Sequence, residues 1–128
     1  MENEFVDYST ALALKELGFD EPCFGCYTKD KELSLDRSDN KGEGHYFQDC
    51  SAPLYQQAFR WFREKYDFVG TILGDGFNGE LKGYYYSITE EGWINYYESI
   101  DDSKWYNTYE EAELACLRKL IEIVKENL

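Results

Sequence analysis

The chain has 128 residues and carries 26 Asp and Glu against 13 Lys and Arg, a formal net charge of −13. That balance excludes the basic stripe that neutralises phosphates, so no direct nucleic-acid binding is expected. Anionic membrane surfaces are disfavoured on the same ground, and a partner should be neutral or basic.

The hydrophobic fraction is 43% and the aromatic fraction 18%, with 12 Tyr, 8 Phe and 3 Trp. A disordered acidic tail lacks such bulk, so a single folded domain over residues 1–128 is expected. No apolar run is long enough for a transmembrane helix. Met1-Glu2-Asn3-Glu4 opens without a basic and apolar leader pattern. A cytoplasmic protein with reduced cysteines is the expectation. The acidity is uneven: residues 1–50 hold 12 acids and 5 bases, whereas residues 51–66 set Arg60, Arg63 and Lys65 against Glu64. The plainest meaning of such an excess is solubility.

The first helix is expected from Tyr8 to Leu17, capped by Asp7 or Ser9. Val6, Thr10, Ala13, Leu14 and Leu17 share one stripe at the helical period. Gly18 can take the left-handed conformation that ends a helix. Cys23 to Thr28 and Glu32 to Leu35 then flank a polar turn as a hairpin. Asp36 to Cys50 is polar and Gly-containing, and a flexible surface loop is expected there. Ser51 and Pro53 suit the cap and first turn of a second helix. Leu54, Tyr55, Ala58, Phe59, Trp61, Phe62 and Tyr66 fill its apolar arc.

Three strands should follow: Phe68 to Leu73, Leu81 to Thr89 and Trp93 to Ser99. Gly74 to Gly79 reads as a long flexible tip and Glu90-Glu91-Gly92 as a tight one. The last helix runs from Tyr109 to Glu126, opened by the capping-box pair Thr108 and Glu111. The order α-β-β-α-β-β-β-α predicts an α+β fold, an antiparallel sheet of about five strands with three helices packed on one side.

Three segments carry a family resemblance. They are the run from Leu14 to Gly25 (LKELGFDEPCFG), that from Ser51 to Tyr66 (SAPLYQQAFRWFREKY) and that from Tyr106 to Lys125 (YNTYEEAELACLRKLIEIVK). Together they resemble a family of small uncharacterised proteins of gut Bacteroidales bacteria, their prophages and their phages. The resemblance covers most of the chain and implies a phage or mobile-element accessory protein in the bacterial host cytosol. It implies no activity and no functional residues.

Cys23, Cys26, His45 and Cys50 follow the spacing C-x2-C-x18-H-x4-C, which is legal for a tetrahedral zinc set. The pattern lacks a second CxxC, and Cys23 and Cys26 also read as small apolar residues on a strand. No metal or other cofactor is therefore expected, with structural zinc at those four residues as the alternative. Thioredoxin-like chemistry would place the first Cys at a helix start, whereas Tyr27-Thr28 continues a strand. Cys116 falls on the apolar face of the last helix. His45 is the only histidine and sits beside Gly42 and Gly44, a poor setting for a rigidly held base. Gly74 to Gly79 lacks the Lys and Ser/Thr of a phosphate loop and the closing Glu of a calcium loop. Among 26 acids no carboxylate pair stands out for acid–base work.

The aromatic strands are the better candidates. Alternation puts Lys82, Tyr84, Tyr86 and Ile88 on one face and Leu81, Gly83, Tyr85 and Ser87 on the other. It also separates Trp93, Asn95 and Tyr97 from Ile94 and Tyr96. Helices on one side leave the other face open, and exposed Tyr and Trp are favoured interface anchors. The expected partner-binding residues are Tyr85, Trp93 and Tyr97. The competing reading is that these rings form cross-strand pairs that only stabilise the sheet. The function expected is that of a non-enzymatic acidic interaction protein, binding a host protein. Two alternatives stand beside it: a DNA-mimic inhibitor of a nucleic-acid-binding enzyme, and a nucleotide-type small-molecule binder using Arg60, Arg63 or Lys82. A homodimer is a further use of an open aromatic face.

Overall fold

A computed structural model of the chain describes residues 2–40, 48–90 and 94–127. The fold is α+β, with three helices and two three-stranded antiparallel sheets rather than one sheet of five strands. The chain divides into two compact units, Met1–Ala58 and Phe59–Leu128, each described by itself below.

In the first unit, α1 spans Tyr8–Glu16. The Asp7 carboxylate caps it by accepting the Thr10 N–H at 2.9 Å. Gly18, at φ 99°, releases the chain. Thr10, Ala11 and Leu14 are buried, and Ala13 of the expected stripe is only half-buried. β1 (Gly25–Thr28) and β2 (Leu33–Ser34) form the anticipated hairpin, pairing Tyr27 with Leu33.

β3 (Gln48–Ala52) occupies the other edge of β1, pairing Tyr27 with Cys50 and Cys26 with Ser51. This strand stands where a loop and a helix cap were expected. Ser51 is a fully buried strand residue and not an N-cap. The described parts of the 36–50 segment are anchored. Ser38 exchanges backbone hydrogen bonds of 2.7 and 3.0 Å with Cys23. The Asn40 amide donates to the Phe19 carbonyl, and its oxygen accepts the Ser51 N–H, both at 2.8 Å. Residues 41–47, including His45, lie outside the described residues. α2 (Tyr55–Tyr66) begins in this unit, where Ala58 is buried, and continues into the second, where Trp61 and Phe62 are buried.

In the second unit, β4 (Val69–Phe77), β5 (Glu80–Glu90) and β6 (Ile94–Glu98) form a sheet in the order β4-β5-β6. The expected flexible tip is instead strand plus a two-residue turn. Asn78 and Gly79 both have positive φ, 53° and 78°, as a type I′ hairpin turn requires. α3 spans Tyr109–Glu126. Thr108 caps it by accepting the Glu111 N–H at 3.1 Å, while the Glu111 carboxylate accepts the N–H of Asn107 at 3.2 Å. The reciprocal half of the capping box is thus displaced by one residue.

α3 packs on β4 and β5, burying Cys116, Leu117, Leu120 and Val124. The covered face of the sheet is that of Tyr84, Tyr86 and Ile88. Tyr84 meets Tyr109 edge-on at 6.0 Å, and Tyr86 and Ile88 are buried. On β4, Gly70 pairs with Ile88 on the same face. A Cβ there would stand 2.8 Å from both Cys116 Sγ and Phe59 Cε1. Within this unit α3 therefore covers one side of the sheet. No helix among the described residues is long and apolar enough to cross a membrane.

Candidate interaction face

The face of the second sheet turned away from α3 carries Thr71, Leu73 and Asp75 from β4 and Gly83, Tyr85 and Ser87 from β5. A bulge between Asp75 and Gly76 removes Leu81 from this set. Asp75 pairs with Gly83 but Gly76 pairs with Leu81, so the alternation is reset. Leu81 moves to the Gly74 face, its Cδ1 lying 3.0 Å from where a Gly74 Cβ would be.

The connection from β6 to α3 adds a side chain to the open face. β6 ends in a 3-10 turn, Ser99–Asp102, followed by Ser103 in the left-handed conformation at φ 56°. The buried Ser99 hydroxyl accepts the Tyr86 N–H at 3.0 Å and ties this turn to β5. The chain then runs back along β5, where Tyr106 and Tyr84 exchange two backbone hydrogen bonds of 2.8 Å. The Tyr106 ring stands 6.2 Å from that of Tyr86, on the helix side. Its neighbour Trp105 consequently projects over the open face.

Trp105 crosses the sheet at Gly83. A Cβ on Gly83 would meet the Tyr106 carbonyl oxygen at 3.0 Å and the Trp105 Cβ at 3.8 Å, so a side chain there would crowd the crossing backbone. The indole N–H donates to Asp75 Oδ2 at 2.6 Å. The indole is therefore held across two strands while remaining 49% exposed. Half-buried Leu73 and Tyr85 are paired one step further along the strands.

Of the expected anchors, Tyr85 is on this face. Trp93 lies outside the described residues. Tyr97 is not on it: it pairs with Ile88 and faces the helix side. Its ring lies 5.7 Å from Tyr86, Lys119 Nζ stands 4.5 Å above it, and its hydroxyl donates to Asp102 at 2.6 Å. Burial, then the bond to Asp102, pushes that hydroxyl up to about 12. Tyr97 is a packed, hydrogen-bonded residue rather than a projecting one.

The cysteines of the zinc alternative do not converge. Cys26 pairs with Ser51 and Cys50 with Tyr27, so their side chains leave opposite faces of the first sheet. Burial pushes the Cys23 and Cys50 thiols up to about 12, far from the thiolate that a cysteine nucleophile needs. No cluster of His, Cys, Asp and Glu among the described residues is arranged to hold a metal ion. Of the basic residues considered for an anionic ligand, Arg60 lies 4.0 Å from Glu64 and Lys82 lies 2.9 Å from Glu80. Both are exposed surface ion pairs.

Trp105 was missed because it sits in a polar connection, Asp101 to Asn107, with no strand or helix period to place it. The available signal was the isolated indole itself, the one large apolar side chain among acids, Ser, Lys and Asn before the tyrosine. Fold and surface define an acidic α+β protein with one open, partly aromatic sheet face. No protein-family model, no curated protein and no solved structure matches the chain.

Proposed function

We propose that this is a non-enzymatic interaction protein that binds a neutral or basic host protein through the open face of the β4–β5–β6 sheet. The observation that carries this is Trp105, half-exposed yet held by Asp75 across Gly83. An indole already fixed in place gives up little conformational freedom on binding, which favours it as an anchor. Leu73 and Tyr85 extend the apolar surface, and the net charge of −13 supplies a field that draws a basic partner. The family resemblance supports an accessory role for a phage or mobile element.

The test is capture from a bacterial lysate with the native protein and Trp105→Ala as parallel baits, at low and high salt. A protein held by the native bait, released by salt and lost by at least tenfold with Trp105→Ala supports the reading. Equal capture by both baits removes Trp105 as the anchor. A nucleotide carried through purification in place of a protein would replace this reading with small-molecule binding.

A further inference from the structure

β4 is an edge strand, bonded to β5 alone among the described residues. Which of its backbone groups face the free edge follows from β5. Tyr84 spends its N–H and C=O on Tyr106, and the Tyr86 N–H goes to Ser99 on that same side. These groups therefore point away from β4. Antiparallel ladders alternate hydrogen-bonded and non-hydrogen-bonded pairs. Gly74, Ile72 and Gly70, opposite Tyr84, Tyr86 and Ile88, must then turn their N–H and C=O outward. Among the described residues no backbone hydrogen bond reaches them. Gly74 is exposed and Gly70 and Ile72 are half-buried, so solvent reaches this edge.

The outward residues Gly70, Ile72 and Gly74 are symmetric about Ile72. We propose that β4 pairs antiparallel with β4 of a second copy about a two-fold axis at Ile72, joining two sheets into one. Ile72 then faces Ile72 of the second copy, and each Gly70 faces a Gly74. All three are outward-facing positions, so each pair exchanges two hydrogen bonds. The glycine pairs bring no side chains into the seam. Asp75, the only charge in β4, falls opposite Val69 of the second copy, so no like charges meet. β4 also lacks the Lys, Arg or Pro that guard solvent-facing edges. The opposing force is the −13 on each copy, a repulsion that salt screens. The dimer should therefore tighten as salt rises, opposite to the salt response expected of the partner complex. This inference stands apart from the open-face reading and survives its failure.

The experiment is sedimentation equilibrium of the native chain at low and high salt, with amide exchange followed by NMR across a concentration series. The expected result is a dimer that strengthens with salt, with concentration-dependent protection at the Gly70, Ile72 and Gly74 amides. A monomer at all concentrations and both salts overturns the proposal. So does a dimer whose protection falls elsewhere. Gly74→Pro removes an outward N–H without breaking a β4–β5 bond, and edge strands tolerate proline. It should weaken the dimer at least tenfold while remaining folded by far-UV dichroism. A folded Gly74→Pro dimer as tight as the native one also overturns the proposal. Should that variant not fold, the amide series on the native chain decides alone.

Discussion

Gly70 offers the sharpest test of how the second sheet meets its helices. An alanine there would put its Cβ 2.8 Å from Cys116 Sγ, 2.8 Å from Phe59 Cε1 and 3.1 Å from Phe59 Cδ1. Ordinary contact begins near 3.4 Å, so the sulfur and the ring edge must each retreat by about 0.6 Å. Cys116 is fully buried, with Leu117 and Leu120 also fully buried on the same helix, and has little room to give. Overpacking of this kind costs about 1–3 kcal/mol. Loss of glycine freedom in the unfolded chain returns about 0.4–1 kcal/mol. Gly70→Ala should therefore lose about 1–2 kcal/mol in a urea titration at unchanged m value. Cys116→Ala removes one of the two obstacles, so the double variant should be more stable than the sum of the singles predicts, by about 0.5 kcal/mol or more. Gly70→Ala at or above native stability, or strictly additive behaviour with Cys116→Ala, would refute this packing.

Three other outcomes follow from the geometry. Asn40→Ala removes the hydrogen bonds to the Phe19 carbonyl and from the Ser51 N–H and should cost roughly 1–3 kcal/mol, measured by thermal or urea unfolding. Asn40→Asp keeps the acceptor for Ser51 but sets a carboxylate oxygen against the Phe19 carbonyl, so it should rescue little. Cys23 and Cys50 are raised from 9.0 to about 12 by burial, so above pH 9 the unfolded chain releases protons that the folded chain retains. Their contribution is complete below about pH 9 and is lost as pH rises toward 12. Unfolding midpoints at about pH 8 and about pH 10.5 should show that fall. At neutral pH all four buried thiols should react with a thiol reagent only on unfolding, and fast native-state labelling would contradict their placement. Trp105→Ala should cost about 1–3 kcal/mol of stability while leaving the protein folded, since it removes a hydrogen bond to a carboxylate and about half of an indole's burial but no fully buried core side chain.

The parts of the fold legible in the sequence were those with local chemistry. Asp7 and Thr108 cap their helices through their own side chains, and the 3.6-residue period of α3 shows its buried face without reference to anything distant. β3 was not legible. Its residues, Gln48-Asp-Cys-Ser-Ala52, alternate no bulky side chains, and Ser51 followed by Pro53 imitates a helix start. Their strand character comes from pairing with β1 and from Asn40 holding the Ser51 N–H, which are long-range facts. The division into two sheets is likewise a matter of pairing, which no period of a single strand encodes.

The candidate face was legible as a kind of surface but not residue by residue. α3 covers one side of the aromatic second sheet, and Tyr85 stands on the other. Two bulges defeated the rest. The one at Asp75 and Gly76 transfers Leu81 to the other face, and the one between Ile88 and Thr89 leaves Tyr96 as an extra residue beside Tyr97. Trp105 reaches the face only because the chain doubles back along β5 and Gly83 lets it cross.

The central claim is that a protein partner docks on the Trp105 face. Its most direct measurement is hydrogen–deuterium exchange of the protein free and in complex with whatever partner the native bait captures. Docking on this face should slow exchange across residues 71–75, 83–87 and 103–106, with the outer surface of α3 unchanged. Slowed exchange confined to α3 or to the first unit, with those three segments unaffected, would contradict it.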